Sequence, residues 1–223
     1  MGLISDTTLI STVIVGLVVT ALLVVLAARR EGRPVVGEVV RNTRVLVCSL
    51  NAAASADLEA DAGVYSSFYP RTAVFRELGV GDLLTAVGAG GYDVVHLLSD
   101  VDEDGGIVDV EGGRVGGGEL LAACNRGDVK LLMLASDNPA DNYVKAFHRS
   151  KEPPGLRLHL VITLARHGEK FTRFLEALLR QVSNAKSLPQ AWVALAPQTH
   201  AGAHGDLPET MLFAGRGGVE LLP

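Results

Sequence analysis

Cysteine is scarce in this chain: only Cys48 and Cys124 occur among 223 residues. That number and spacing exclude a disulfide framework and offer no zinc-ligand pairs. Cys48 falls in an apolar run and Cys124 in a helical stretch, the pattern of reduced, buried thiols. Basic charge is also short, with 20 Lys and Arg against 25 Asp and Glu, a formal net charge of −5 and a pI near 5.7. Such a chain has no electrostatic footprint for a phosphate backbone, so nucleic acid is set aside as a partner. No internal repeat is visible.

Apolar residues, in contrast, make up 48% of the chain, and much of the excess sits at the N-terminus. Thr7 to Ala28 contains no charged residue and is long enough to cross a hydrocarbon core of about 30 Å as a helix. The run ends at Arg29-Arg30, with Arg33 soon after, whereas only Asp6 and the α-amino group precede it. Positive charge on the C-terminal flank predicts a single-pass membrane protein with its N-terminus outside and its following domain cytoplasmic. The competing reading is a cleaved signal peptide, with Ala27-Ala28 as the cleavage site. Signal peptides carry a basic n-region and a shorter apolar core, and this segment has neither. Gly16 alone gives no small-xxx-small motif, so association through the helix is unsupported. The remaining length suits one soluble domain. The expected organisation is a transmembrane anchor over 1–30, a linker over 31–43 and a cytoplasmic domain over 44–223.

Within that domain, four apolar runs read as buried strands: Arg44–Leu50, Tyr92–Ser99, Val129–Ala135 and Leu156–Leu164. Asn51–Pro70 has no clear period. Thr72–Val87 has helix-like spacing, split by Gly79 and Gly81. Ile107–Val115 alternates around Gly112-Gly113 as a small hairpin. Helices are expected over Gly118–Asn125, Asn138–Arg149, Phe171–Val182 and Leu188–Leu195, with a closing strand at Thr210–Ala214. Apolar strands alternating with helices predict an α/β fold with a mostly parallel central sheet covered on both faces. Ligands of such folds sit beyond the C-terminal ends of the strands. Those ends are Leu50–Ser55, Ser99–Gly105, Ala135–Asn138 and Leu164–His167.

Several motifs carry candidate chemistry. Asp100-Val-Asp102-Glu-Asp104-Gly105-Gly106-Ile107-Val-Asp-Val-Glu111 fits the spacing of a calcium loop. Alternate carboxylates supply oxygens there and a glycine permits the sharp bend, making Asp100, Asp102, Asp104 and Glu111 candidate calcium ligands. A strand precedes this loop and no helix enters it, so a solvated acidic turn is the competing reading. Gly112–Gly118 could cradle a phosphate, but it lacks the Lys-Ser/Thr of a P-loop, and a hairpin turn plus a helix entry accounts for its glycines. His200 and His204, four apart with Asp206 nearby, have a helical zinc spacing but sit in a Gly, Ala and Pro context that reads as a surface loop. Arg166 and His167 follow the fourth strand, where they either meet an anionic ligand or start a helix.

Gly91-Tyr-Asp-Val-Val-His96-Leu-Leu-Ser99 resembles the "YDVVHFAGHG" strand of CHAT domains, the bacterial caspase-like fold. Gly105–Leu121 is similar to that family's hairpin and helix. Leu131–Asn138 stands in the place of its next strand, Val161–Leu164 and Phe171–Val182 resemble a later strand and helix, and Pro208–Gly215 resembles its terminal segment. The resemblance covers most of 44–216. It implies a three-layer caspase-like sandwich and a His–Cys pair at two strand ends, in which the His activates the thiol. Carried onto this chain, the catalytic His falls at Asp100 and the catalytic Cys at Ser136 or its neighbour Asp137, while His96 matches a structural His. A carboxylate is too weak a base to deprotonate a serine hydroxyl unaided, so the pair is degenerate. The resemblance therefore implies the fold with a degenerate catalytic pair, and joined to the anchor read from the uncharged run it gives a membrane-tethered pseudoenzyme; no cofactor is expected beyond the candidate calcium. Its expected work is signalling or assembly, through a protein partner or self-association, in the setting of bacterial defence. Two alternatives stand beside it: an active hydrolase using Ser136, or a sensor that binds calcium or a nucleotide at the strand ends and transmits to the membrane helix.

Overall fold

The apolar runs form strands whose side chains alternate between two cores. In β2 (Arg44–Ser49), Val45 and Val47 face one apolar cluster, and Leu46 and Cys48 face the other. In β4 (Val94–Leu98), Val94 and Leu98 lie on the first side and Val95 and Leu97 on the second. A strand apolar on both faces is one covered on both faces. These two strands sit in the middle of a six-stranded sheet with β3 (Arg71–Phe75), β8 (Leu131–Leu134), β9 (His159–Ala165) and β10 (Glu209–Ala214), in the order β10-β9-β8-β4-β2-β3. Every neighbouring pair is parallel except β10 with β9. The computed structural model describes residues 38–51, 54–148, 158–201, 209–215 and 217–223.

Among the described residues six helices cover this sheet. On one face lie α1 (Ser55–Phe68), α5 (Glu169–Ser183) and α6 (Leu188–Ala201), which bury Leu58, Tyr65, Phe171, Leu175, Leu178 and Leu188. On the other lie α2 (Val80–Gly88), α3 (Gly117–Arg126) and α4 (Ala140–His148), which bury Leu83, Val87, Leu120, Cys124 and Tyr143. The expected mixed α/β fold with a mostly parallel sheet is thus present. No helix among the described residues is long and apolar enough to cross a membrane. The uncharged run Thr7–Ala28 lies outside them.

Several elements differ from the sequence reading. The segment without a period holds α1, whose buried positions Leu58, Asp61, Ala62 and Tyr65 follow helical spacing. Asp61 occupies a core-facing position, so the apolar stripe reads as broken. The segment read as a split helix from Thr72 begins instead with β3, a half-exposed edge strand paired with β2. The expected linker includes β1 (Glu38–Val40), which pairs in parallel with β11 (Val219–Leu221). Lys130, nearly buried, secures this start: its ammonium meets Glu38 and Asp128, each at 2.7 Å. The acidic turn also contains strand: β5 (Asp100–Val101) pairs with β6 (Gly106–Val108), which pairs with β7 (Arg114–Gly116). Asp109, in the β6–β7 turn, accepts the Val80 amide at 2.8 Å and so caps α2, joining the hairpin to the body.

Because the strands are packed from both sides, truncation at the sheet centre leaves a cavity that neither layer can fill. Leu97→Ala on β4, where the side chain is fully buried, should lower stability by about 2–5 kcal/mol. In guanidinium unfolding the midpoint should fall while the slope is unchanged.

Candidate functional site

The C-terminal ends of β2, β4, β8 and β9 converge, as parallel pairing requires, and a lattice of polar side chains ties them together. The Ser136 hydroxyl, just past β8, accepts the Ser99 amide at 2.9 Å. The Asn138 side chain accepts the Val101 amide at 2.7 Å and donates to the Ser99 carbonyl at 3.0 Å. Tyr143 donates to the Ser136 carbonyl at 3.1 Å, and burial pushes its hydroxyl up to about 12, which keeps it a neutral donor at neutral pH. Asn51, past β2, donates to the Asp100 carboxylate at 2.8 Å.

Beneath this lattice lies a buried ionic cluster. Asp61 of α1 and His96 of β4 are fully buried, with the His96 Nε2 2.8 Å from the carboxylate. An ionised carboxylate only accepts, so His96 donates from Nε2. Its Nδ1 lies 3.3 Å from the Tyr65 hydroxyl. Arg166, 3% exposed, follows β9 and forks onto both oxygens of Asp61 at 2.9 and 3.1 Å, while also donating to the Ala135 carbonyl at 2.7 Å. Its Nε sits 3.3 Å from the Asp57 carboxylate as an ion pair that is not aligned for a hydrogen bond. The guanidinium stacks over the Phe171 ring at 4.2 Å. Burial alone would raise the Asp61 carboxyl, but the charge and hydrogen bond of His96, followed by those of Arg166, hold it below the ordinary carboxylate range.

The expected site residues fall as follows. Asp100 and Ser136 stand on the neighbouring strand ends of β4 and β8, and the structure gives each its own partner rather than pairing them: Asn51 for the carboxylate, the Ser99 amide for the hydroxyl. Asp137, exposed beside Ser136, accepts the Arg166 amide. Cys48 lies inside β2 and Cys124 inside α3, and burial pushes both thiols up to about 12. Arg166 is a core residue, bound to Asp61 instead of facing a ligand. His167, exposed, takes a left-handed φ of 54° where the chain turns into α5.

In the acidic turn, Asp102 takes the Gly106 amide at 2.7 Å and the Arg114 guanidinium at 2.7 and 2.9 Å. Burial opposes the shift, but those bonds hold its carboxyl below the usual range. Asp104 faces the same Arg114 at 3.7 Å, Asp100 faces Asn51, and Glu111 lies on the separate β6–β7 turn. Among the described residues no three His, Cys, Asp or Glu side chains gather as metal ligands. Gly105 has a φ of +82°, and an added Cβ would collide with the backbone of Lys145 and Ala146 in α4. The glycine run splits between the hairpin turn, β7 and the start of α3. His200 belongs to α6 rather than to a loop. Its side chain, His204 and Asp206 lie outside the described residues.

Sequence reasoning missed Asp61 as the partner of both Arg166 and His96, since nothing local marks a carboxylate that will be neutralised from two distant strands. Beside the lattice, Asp137, Asn138, Pro139, Ala140, Leu164 and Glu209 line a cavity of about 400 Å³. A serine hydroxyl becomes a nucleophile when a base accepts its proton, and no side chain among the described residues stands in that relation to Ser136.

No family model and no curated protein matches the chain. Among solved structures, a chain from the work identifying the pyruvate reductase of Chlamydomonas reinhardtii is similar over 75% of this chain and 42% of that one, at 16% identity and a TM-score of 0.31. The chain thus spans less than half the length of that protein, and so loose a likeness carries neither fold nor function.

Removing the Asp61 charge leaves the buried Arg166 with only the half-exposed, poorly aligned carboxylate of Asp57, so Asp61→Asn should cost about 3–5 kcal/mol at pH 7. The carboxyl's stabilising share is full above its unfolded value of about 4 and is lost as pH falls through the lower native value. Unfolding titrations from pH 7 to 3 should therefore show the gap between wild type and variant narrowing only at the acid end.

Proposed function

We propose that the chain is a membrane-tethered, caspase-like pseudoenzyme serving as a signalling or assembly module on the cytoplasmic side, in the bacterial-defence setting that its resemblance to CHAT domains implies. The observation that carries this reading is the use made of Ser136: its hydroxyl accepts the Ser99 amide and holds two strand ends together. Asp100, at the position of the family's His, is likewise bonded to Asn51. Both thiols sit in the core with pKa values near 12, where the thiolate fraction at pH 7 is negligible. These groups work as structural ties. They leave a rigid face at the strand ends, edged by exposed carboxylates such as Glu103, Asp104 and Asp141. A membrane anchor would confine that face to two dimensions and raise its effective concentration toward other membrane proteins, which favours recruitment over turnover.

The cavity beside Asp137 supports a second reading, a sensor for a small ligand. Its two carboxylates, Asp137 and Glu209, disfavour the phosphates of a nucleotide.

Three outcomes are expected. The full-length chain should stay with membranes through a carbonate wash, and release into the wash would remove the anchor. A cysteine-directed caspase-type probe should leave the native protein unlabelled, whereas labelling lost on Cys48→Ala or Cys124→Ala would restore a thiol enzyme. Reversal of Glu103 and Asp104 to Lys should weaken partner recovery from membranes while costing under about 0.5 kcal/mol of stability, as is usual for exposed turns. Asp102 is unsuited to that test because its carboxylate builds the turn. Equal recovery by both proteins would take this turn out of the interface.

A further inference from the structure

Where β9 meets the edge strand β10, their ladder slips by one residue. Thr210 stands opposite Thr163, but Glu209 stands opposite Ala165, so Leu164 is the extra residue. Such a bulge bends its strand and re-aims the side chains around it. Ile162 packs in the core cluster on the α2–α4 side of the sheet, and Met211 is its register partner. Alternation along β10 therefore sets Glu209 on that same side, where Leu164 packs at the margin of the cluster. Pro139 and Ala140, at the start of α4, line the cavity of about 400 Å³ together with Leu164 and Glu209, and Asp137 and Asn138 complete it.

The lining selects the occupant. Pro139, Ala140 and Leu164 offer apolar surface, and the volume lies within the range of small-molecule pockets. Asn138 is already spent on the Val101 amide, the Ser99 carbonyl and the Tyr143 hydroxyl. The two carboxylates differ from it. Asp137 accepts the Arg166 backbone amide through Oδ1, while the Arg166 guanidinium is turned inward onto Asp61. Neither Asp137 nor Glu209 is in an ion pair among the described residues. The negative field is felt nearby: the Tyr143 hydroxyl is pushed up by burial first and, against its Asn138 hydrogen bond, by the charges of Asp137 and Asp100. Two carboxylates fall short of the roughly six to eight oxygens that calcium takes, and they repel phosphates and carboxylates.

We propose that this cavity holds a small organic cation, an ammonium ion met by Asp137 and Glu209 with its apolar body against Pro139, Ala140 and Leu164. The proposal rests on the small-ligand sensor reading above and names the ligand class. An ammonium N–H donating to a carboxylate makes a charge-assisted bond, roughly twice as strong as a neutral one, whereas an alcohol of the same body makes only the neutral kind. Charge, rather than the apolar body, should therefore decide which ligands bind.

The test is a saturation-transfer NMR titration of the full-length chain, in neutral detergent and against a detergent blank, with n-butylammonium, n-butanol and butyrate. The three probes share an apolar body and differ in charge. n-Butylammonium should bind at least tenfold more tightly than n-butanol, and butyrate should give no signal above the blank. Asp137→Asn keeps an oxygen for the Arg166 amide, and Glu209→Gln keeps the shape of its side chain. Each should weaken n-butylammonium binding at least threefold and the pair at least tenfold, with circular dichroism confirming that the variants are folded. Equal binding of n-butanol or butyrate, or variants that bind n-butylammonium as wild type does, would overturn the cation site and leave a cavity for some other small ligand. A signal from none of the three probes at millimolar concentration would overturn the cation site and the sensor reading together.

Discussion

Arg166 ties four parts of the fold together, and the architecture leans on how its charge is met. The guanidinium sits just past β9, yet it binds the carboxylate of α1, the backbone just past β8 and the ring of α5. Burying a lone cation is prohibitive, and a buried pair is tolerable when both partners are fully hydrogen-bonded. Asp61 meets that condition by taking two bonds from Arg166 and one from His96. Three segments far apart in sequence must therefore arrive together, with α1 placed over β4 and β9 in one register. A shift of one residue in β4 would turn His96 to the opposite face and leave Asp61 without one of its donors.

The same logic of satisfaction governs the strand ends above it. Where parallel strands stop, their last amides and carbonyls lose their ladder partners, and in the interior each must find another. Ser136, Asn138, Tyr143 and Asn142 do this for the ends of β4 and β8. Polar residues at these positions hold the backbone: each bonds an amide or carbonyl that the ladder leaves over. The acidic turn follows suit, since Asp102 closes it on Gly106 and anchors Arg114, and Lys145 of α4 caps the Glu103 carbonyl at 2.7 Å. What remains outward-facing is charge, carried by side chains such as Glu103, Asp104 and Asp141 on the elements that these bonds hold.

Much of the sheet was legible because its evidence is local. Strands buried on both faces must be apolar without a break, and β2, β4, β8 and β9 are. The hairpin around Gly112 and the amphipathic α5 announce themselves for the same reason. The misses share a different cause. α1 hides its stripe because Asp61 stands in it, a residue whose place in the core is decided by Arg166, 105 positions away. β3 and β1 are short and sit at margins, so pairing rather than pattern defines them. In the acidic turn the residues of the calcium spacing occur in order, and β5 pairs Asp100 with Val108 across an antiparallel ladder while Arg114 takes up Asp102. Spacing fixes which residues lie near one another in sequence, while pairing fixes which carboxylates face one another. Arg166 and His167 show the same in miniature, adjacent in sequence with one in the core and the other in solvent.

The direction of the helices follows from the same topology. Between successive parallel strands a helix must run back from the strand ends, so the starts of α1 to α5 gather at one end of the sheet, while α6 follows α5 directly and begins at the other. Acids in the first turns of α1 to α5 are locally favourable. β1 shows how a margin of the sheet is held: it is paired to β11, and Glu38 at its start is pinned to Lys130 just before β8. A short pair of strands that adds little to the core thus fastens the chain's last strand beside the end where β8 begins, and Tyr69 of the α1 face completes the tie by donating to the Leu221 carbonyl at 3.1 Å.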